Sequence, residues 1–261
     1  MIYIKDVSCS YSEIKALNNI SLHISKGEAL ALVGPNGSGK STFLKLINGI
    51  ITPDRGIYRF DGEEITHKKL QDTKFSKKFH QRIGFVFQNS DTQLFCPDVF
   101  DEIAFGPRQM GMEESEVRQR TEDCMDLLGI QDLKHRQPYH LSGGEKRKVA
   151  IACVLALNPE VIALDEPLNG LDPRTQRWLV EFLVKLNRAG KTIITSTHDL
   201  ELLQVISYRS VLFDETHSIA ADLPTNELLG NIDLLKNANL VDEYYHRHEG
   251  REHSHFHIHN Y

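Results

Sequence analysis

Apolar and polar positions alternate at the start of the chain, as in Leu22-His23-Ile24, which predicts half-buried strands over residues 1–7 and 20–24. Lys26-Gly27-Glu28 then turns the chain into Ala29–Val33, five apolar residues in a row that read as a strand buried on both faces. The period changes over 42–49. There Phe43, Leu44, Leu46 and Ile47 share one face at helical spacing, and Gly49 supplies a stop. Residues 57–60, set between Gly56 and Asp61-Gly62, predict another short strand. Residues 68–78 are polar and basic, a surface helix or loop whose charges read as a solvated face. Residues 82–88, Arg-Ile-Gly-Phe-Val-Phe-Gln, predict a buried strand that ends on a polar side chain.

From residue 89 to 158 the texture is helical. Pro97, Pro107 and Pro138 punctuate segments such as 113–128, where Val117, Cys124, Leu127 and Leu128 share an apolar face. Alternation of strand and helix then returns. Val161–Leu164 is a buried strand ending in Asp165-Glu166. Asp172 and Pro173 are the N-cap and first-turn residues of a helix whose apolar face holds Trp178, Leu179, Phe182, Leu183 and Leu186, and Gly190 closes it. Thr192–Ser196 is the next strand. The pattern predicts an α/β fold: a mainly parallel sheet, an antiparallel β part at the N-terminus and a helical insertion, with ligands at the C-terminal ends of the parallel strands.

Composition narrows the classes. The 261 residues are 40% hydrophobic and 25% charged, enough for one large domain of about residues 1–245 with a helical subdomain over 89–158. The net charge of −6 argues against broad electrostatic binding to nucleic acid. Cys9, Cys96, Cys124 and Cys153 are widely spaced, which suits reduced thiols in a cytosolic protein better than a disulfide framework. No apolar run reaches the ~18–20 residues of a membrane span, and no signal-peptide pattern opens the chain. Any membrane role therefore requires a partner.

The candidate chemistry begins right after the Ala29–Val33 strand. Gly34-Pro35-Asn36-Gly37-Ser38-Gly39-Lys40-Ser41, followed by Thr42, is a G-x-x-x-x-G-K-S turn between a strand and a helix. Its glycines let successive N–H groups point inward at a helix N-terminus, where the dipole favours anions. Lys40 can reach the β- and γ-phosphates of a nucleoside triphosphate, and the Ser41 hydroxyl can ligate Mg²⁺. Downstream, Asp165-Glu166 offers one carboxylate for the metal and one for an attacking water, although a strand ending in acids is common by itself. Leu141-Ser142-Gly143-Gly144-Glu145 opens a helix over 145–157. Ser142 and Glu145 form a capping box, but such a box does not require two consecutive glycines, which cost conformational entropy. They make sense where phosphate must approach bare backbone N–H groups.

Leu141–Glu145 is identified as the LSGGE signature of the ABC ATPase family, and the resemblance extends over roughly residues 1–220. It implies further roles. Tyr11 resembles the aromatic that stacks on adenine, although an aromatic beside a strand is more often core. Gln88 stands where the family places the glutamine that senses Mg²⁺, the attacking water and the membrane partner. Asn169-Gly170-Leu171-Asp172 is similar to the loop that links two sites of a dimer, and His198 to the histidine that contacts the γ-phosphate. Implied cofactors are ATP and Mg²⁺, the metal held by Ser41, Gln88 and Asp165. Glu166, His198, Gln88 and Lys40 are the implied catalytic set. The resemblance also implies two chains facing head to tail, with ATP between Lys40 of one and Ser142-Gly143-Gly144 of the other. The second chain is another copy or a paralogue.

The run Phe85-Val86-Phe87-Gln88-Asn89-Ser90-Asp91-Thr92-Gln93-Leu94-Phe95, with Asp101-Glu102-Ile103-Ala104-Phe105-Gly106-Pro107, resembles the CbiO/EcfA-type ATPases of energy-coupling-factor importers. That implies a peripheral subunit on the cytoplasmic face of the membrane, partnered by a membrane T component and a substrate-binding membrane component. Ninety-nine residues separate Ser41 from Leu141, which leaves no room for the long coiled coils of repair-type ABC ATPases. The last 16 residues hold six of the thirteen histidines: His246, His248, His253, His255, His257 and His259. Neutral imidazoles suit Ni²⁺, Co²⁺, Zn²⁺ or Cu²⁺. A disordered polar tail and a purification tag remain the alternatives for 246–261. The expected function is ATP-driven import of a transition-metal ion, nickel or cobalt. Import of a vitamin or other small molecule, or a non-transport ABC ATPase, stand as alternatives.

Overall fold

The computed structural model describes the backbone of residues 1–248 and 251–258 and the side chains of 1–241. In chain order the elements are β1 (Ile2–Tyr11), β2 (Ile14–Ile24), β3 (Ala29–Val33), α1 (Lys40–Ile47), β4 (Arg55–Phe60), β5 (Glu63–Glu64), α2 (His67–Gln71), α3 (Thr73–Arg82) and β6 (Ile83–Val86). Then follow α4 (Val99–Gln109), α5 (Glu114–Leu128), α6 (Gly143–Leu155), β7 (Val161–Leu164), α7 (Pro173–Arg188), β8 (Thr192–Ser196) and α8 (Leu200–Ile206). The chain closes with β9 (Arg209–Phe213), β10 (Ile219–Pro224), α9 (Thr225–Gly230), α10 (Ile232–Asn237), β11 (Val241–His248) and β12 (Arg251–Ile258).

Two sheets divide the labour. The first, ordered β2-β1-β4-β5, is antiparallel. The second, ordered β10-β9-β3-β8-β7-β6, is parallel except for β10 at its edge. Because side chains alternate across a strand, β3 feeds two cores. Leu30 and Leu32 pack with α1 and the antiparallel sheet, while Ala31 and Val33 face α8, α9 and α10. A third core joins α4, α5, α6 and α7 to Ile162, Leu164 and Ile193. Continuous apolar runs in the parallel strands follow from burial on both faces. Between β6 and β7 the described chain holds helices only, which makes the insertion a layer of its own beside the sheet.

Element bounds differ from the sequence expectation for physical reasons. β1 and β2 run on to Tyr11 and back from Ile14 through a tight turn at Ser12, with register shifts that the alternation rule does not foresee. β6 stops at Val86, two residues before Gln88. Pro107 does not break α4: it lies near the C-terminal end of that helix and is buried. Cys9, Cys96, Cys124 and Cys153 are free thiols, and burial pushes the Cys9 thiol up to about 11. Where the sequence reading places a disordered tail from residue 246, the backbone of β11 and β12 pairs as an antiparallel hairpin, with His246 opposite His253.

Candidate nucleotide site

The loop between β3 and α1 is shaped by backbone freedom that only glycine has. Gly39 sits at φ 107°, and a Cβ there would lie 2.5 Å from the Ala16 carbonyl oxygen. It is the N-cap of α1, yet no side chain caps that helix and no acidic residue stands in its first turn. The first-turn N–H groups are therefore left for an anion. Ser38 Oγ beside them is buried without a hydrogen-bond partner. These observations fit a phosphate group. Lys40, only 5% exposed, donates from Nζ to the carbonyls of Gly34 at 2.7 Å and Pro35 at 2.9 Å. Burial lowers its pKa, opposed by the carboxylates of Glu166 and Asp165.

The C-terminal ends of the parallel strands supply the rest. Asp165, at the end of β7, accepts from Ser41 Oγ at 3.0 Å and from Ser196 Oγ at 2.6 Å. Glu166 adopts φ 41°, a left-handed conformation unusual for a residue with a side chain. Its N–H donates to Ser196 Oγ at 2.8 Å. Its Oε2 accepts from Gln88 Nε2 at 3.1 Å and also from Asn169 Nδ2. Oε1 faces His198 Nδ1 at 3.6 Å, beyond hydrogen-bond reach, and that buried nitrogen has no partner. One carboxylate oxygen is thus held by two amides while the other stays uncommitted.

One cleft of about 510 Å³ gathers most of these groups: Tyr11, Asn36, Gly37, Gly39, Lys40, Ser41, Thr42, Gln88, Glu166 and His198 all line it. Tyr11 stands at the tip of the β1–β2 hairpin, 47% exposed. Gly34, Pro35 and Ser38 form the loop wall behind Lys40, and Asp165 sits behind Ser41. Ser142, Gly143 and Gly144 are not part of this lining. They open α6, where Ser142 N donates to Glu145 Oε2 at 2.7 Å and Glu145 N to Ser142 Oγ at 3.4 Å, completing the capping box. A Cβ on Gly143 would meet nothing within 4 Å, so that backbone is open to approach. The side chains of His246, His248, His253, His255, His257 and His259 lie outside the described residues.

Some site residues carried no sequence signal. Ser196 bridges Asp165 and the Glu166 backbone, but a serine ending a strand is unremarkable in sequence. Asn169 contacts Glu166 directly rather than only opening a linking loop. Ile14, Lys15, Ala16 and His217 complete the cleft opposite the carboxylates. Their approach depends on the pairing of β1 with β2 and on the β9–β10 turn, which periodicity alone does not reveal.

An uncapped helix for phosphate, a buried lysine and a strand-end acid pair define a P-loop ATPase cassette. Residues 17–169 match the family model described as ABC transporter, and the chain belongs to that family, as an ATPase of the CbiO/EcfA type. It is 45% identical over 228 residues to the nickel import ATP-binding protein LarO of Lactiplantibacillus plantarum, which covers 87% of this chain and 95% of that protein. It is 39% identical over 241 residues to the energy-coupling factor transporter ATP-binding protein EcfA of Methanothermobacter thermautotrophicus, across 92% of this chain and 76% of that one. The solved structure of cbiO1 from Clostridium perfringens, part of the ABC transporter complex cbiONQ, superposes with a TM-score of 0.78 at 33% identity and covers 92% of this chain and 94% of its own. No helix among the described residues is long and apolar enough to cross a membrane.

Proposed function

We propose that two copies of this chain, facing head to tail, hydrolyse ATP to drive a membrane importer whose cargo is nickel or cobalt. The observation that carries the paired arrangement is the separation of the two phosphate-binding elements. The cleft holds Lys40 and Glu166, whereas Gly143, between Ser142 and Gly144, presents open backbone at the start of α6, away from that lining. Each chain carries both halves, so two copies suffice for two complete sites.

Within a site, the residues divide the chemistry. The α1 N-terminus and Lys40 hold the phosphates, and Tyr11 meets the base. Ser41, Asp165 and Gln88 form an oxygen-donor set suited to Mg²⁺. Mg²⁺ held by these residues would supply charge neutralisation at the phosphate oxygens. Gln88 and Asn169 fix Glu166 through Oε2, which leaves Oε1 to accept a proton from the attacking water. His198 stands across from that oxygen, and in this reading it contacts the γ-phosphate.

The cargo reading is supported by the relative named for nickel import, together with the histidine-rich tail, while cbiO1, part of the ABC transporter complex cbiONQ, supports the assembly with membrane components. The chain would act at the cytoplasmic face of the membrane with a T component and a substrate-binding membrane component. The test is nickel and cobalt accumulation in cells lacking their own uptake systems, expressing this chain with the membrane proteins that copurify with it. Wild-type chain should accumulate metal and Lys40→Ala should not. Equal accumulation in both overturns the reading, and ATP-dependent uptake of a vitamin without metal uptake moves the cargo to small molecules.

A further inference from the structure

Arg147 lies in the α6 helix, five residues after Ser142, and is only 4% exposed. Burying a guanidinium costs several kcal/mol unless its charge and donors are met. Among the described residues Arg147 has no ion-pair partner; burial lowers its pKa, and only the more remote Asp165 carboxylate opposes that. It spends its fork on two consecutive backbone carbonyls instead. Nη1 donates to Phe87 O and Nη2 to Gln88 O, each at 2.6 Å, while Nε has no partner. Those carbonyls flank the residue whose side chain holds Glu166. Next to Arg147, Lys146 pairs with Asp91 at 2.6 Å, a second strap from α6 to the same segment.

We infer that Arg147 is a positioning residue that makes Gln88 and the Ser142-Gly143-Gly144 backbone move as one body. The inference rests on the facing-pair reading above. In that pair Gln88 serves the chain's own ATP, while Ser142–Gly144 serve the ATP of the other chain. A rigid link between them makes the geometry of Glu166 at one site depend on nucleotide engagement at the other. A guanidinium suits this because its planar fork fixes two acceptors at once, which the point charge of a lysine does not. Both carbonyls belong to the short segment after β6, where no regular ladder holds them.

The test uses full-length chain carrying Arg147→Gln or Arg147→Lys. Measured are kcat, the Hill coefficient for ATP, and affinity of the single chain for a fluorescent ATP analogue. Loss of the link should lower kcat about 10²-fold, the cost of a misplaced catalytic group. The Hill coefficient should drop toward one, and analogue affinity should stay within about threefold because Arg147 does not line the cleft. Arg147→Lys, which keeps the charge, should recover part of kcat but less of the cooperativity. A folded variant with wild-type kcat and Hill coefficient overturns the inference. So does a fall in kcat that tracks a fall in analogue affinity with cooperativity intact. If Arg147→Gln does not fold, Arg147→Lys carries the same readouts. A parallel Glu166→Gln chain with Arg147 intact separates the two ideas. If it fails to pair with ATP, the facing-pair reading is lost and this inference with it. If it pairs while Arg147 variants keep normal kinetics, only this inference falls.

Discussion

In the proposed mechanism two residues carry most of the chemistry, and each was legible to a different degree. Lys40 announces itself through G-x-x-x-x-G-K-S, and the structure adds that it is buried and directed into the loop carbonyls. Lys40→Ala removes a preorganised positive donor, so kcat for ATP should fall about 10²–10³-fold, roughly 3–4 kcal/mol of lost stabilisation. A steady-state ATPase assay checks this. Glu166 is visible in sequence only as the second of two strand-end acids. What singles it out is its φ of 41° and the two amides on one of its oxygens, both products of tertiary structure. Gly39 shows the converse, a backbone demand written in the residue type. Gly39→Ala places a Cβ against the Ala16 carbonyl at an unfavourable φ, which should cost about 1–3 kcal/mol in a denaturant melt and weaken nucleotide binding together.

At the scale of elements, strands with strong periodicity were readable, and those defined by pairing were not. Ala29–Val33 and Val161–Leu164 stand where their apolar runs place them, since burial on both faces leaves no alternative pattern, and Thr192–Ser196 stands where its β-branched residues place it. β9, β10 and the short helices α8 to α10 were not legible: each is too short to show a period by itself, and they pack around the core that Ala31 and Val33 face. The N-terminal hairpin was underestimated because its register shifts interrupt the alternation. α1 depends on Phe43, fully buried and packed 5.7 Å from Phe213 between ring centroids. Phe43→Ala should lower unfolding free energy by about 3–5 kcal/mol in urea and displace the phosphate loop with it. A charge cluster ties the far ends of the strands: Glu160, ahead of β7, accepts from Arg82 Nε at 2.6 Å and Lys26 Nζ at 3.1 Å. The Arg82 hydrogen bond, then Lys26, hold the Glu160 carboxyl below its usual range. Its stabilising effect is therefore present above about pH 4.3, the unfolded value, and is lost as pH falls through the lower folded value. Glu160→Gln should cost about 0.5–1 kcal/mol at pH 7, this group being partly solvated, and nothing at strongly acid pH, as read from melts across pH.

In the proposed facing pair, the whole molecule is half of a machine. One chain supplies a phosphate cradle with its acid pair, and an open glycine backbone that serves no group in its own cleft. The tail should be separable from this core. Deleting residues 246–261 should leave ATP hydrolysis by the purified chain unchanged, because among the described residues none that lines the nucleotide cleft lies beyond His217. It should reduce Ni²⁺ affinity measured by calorimetry, and the binding it removes should be the part that fades as pH falls through about 6.5, where imidazoles protonate. The central claim is that catalysis occurs at sites shared between two chains, and Glu166→Gln tests it most directly. The amide cannot take the proton of the attacking water, so ATP should bind and remain. Light scattering with saturating ATP and Mg²⁺ should then give twice the mass of one chain, reverting on removal of the nucleotide. A Glu166→Gln chain that binds ATP yet keeps the mass of a single copy would contradict the account.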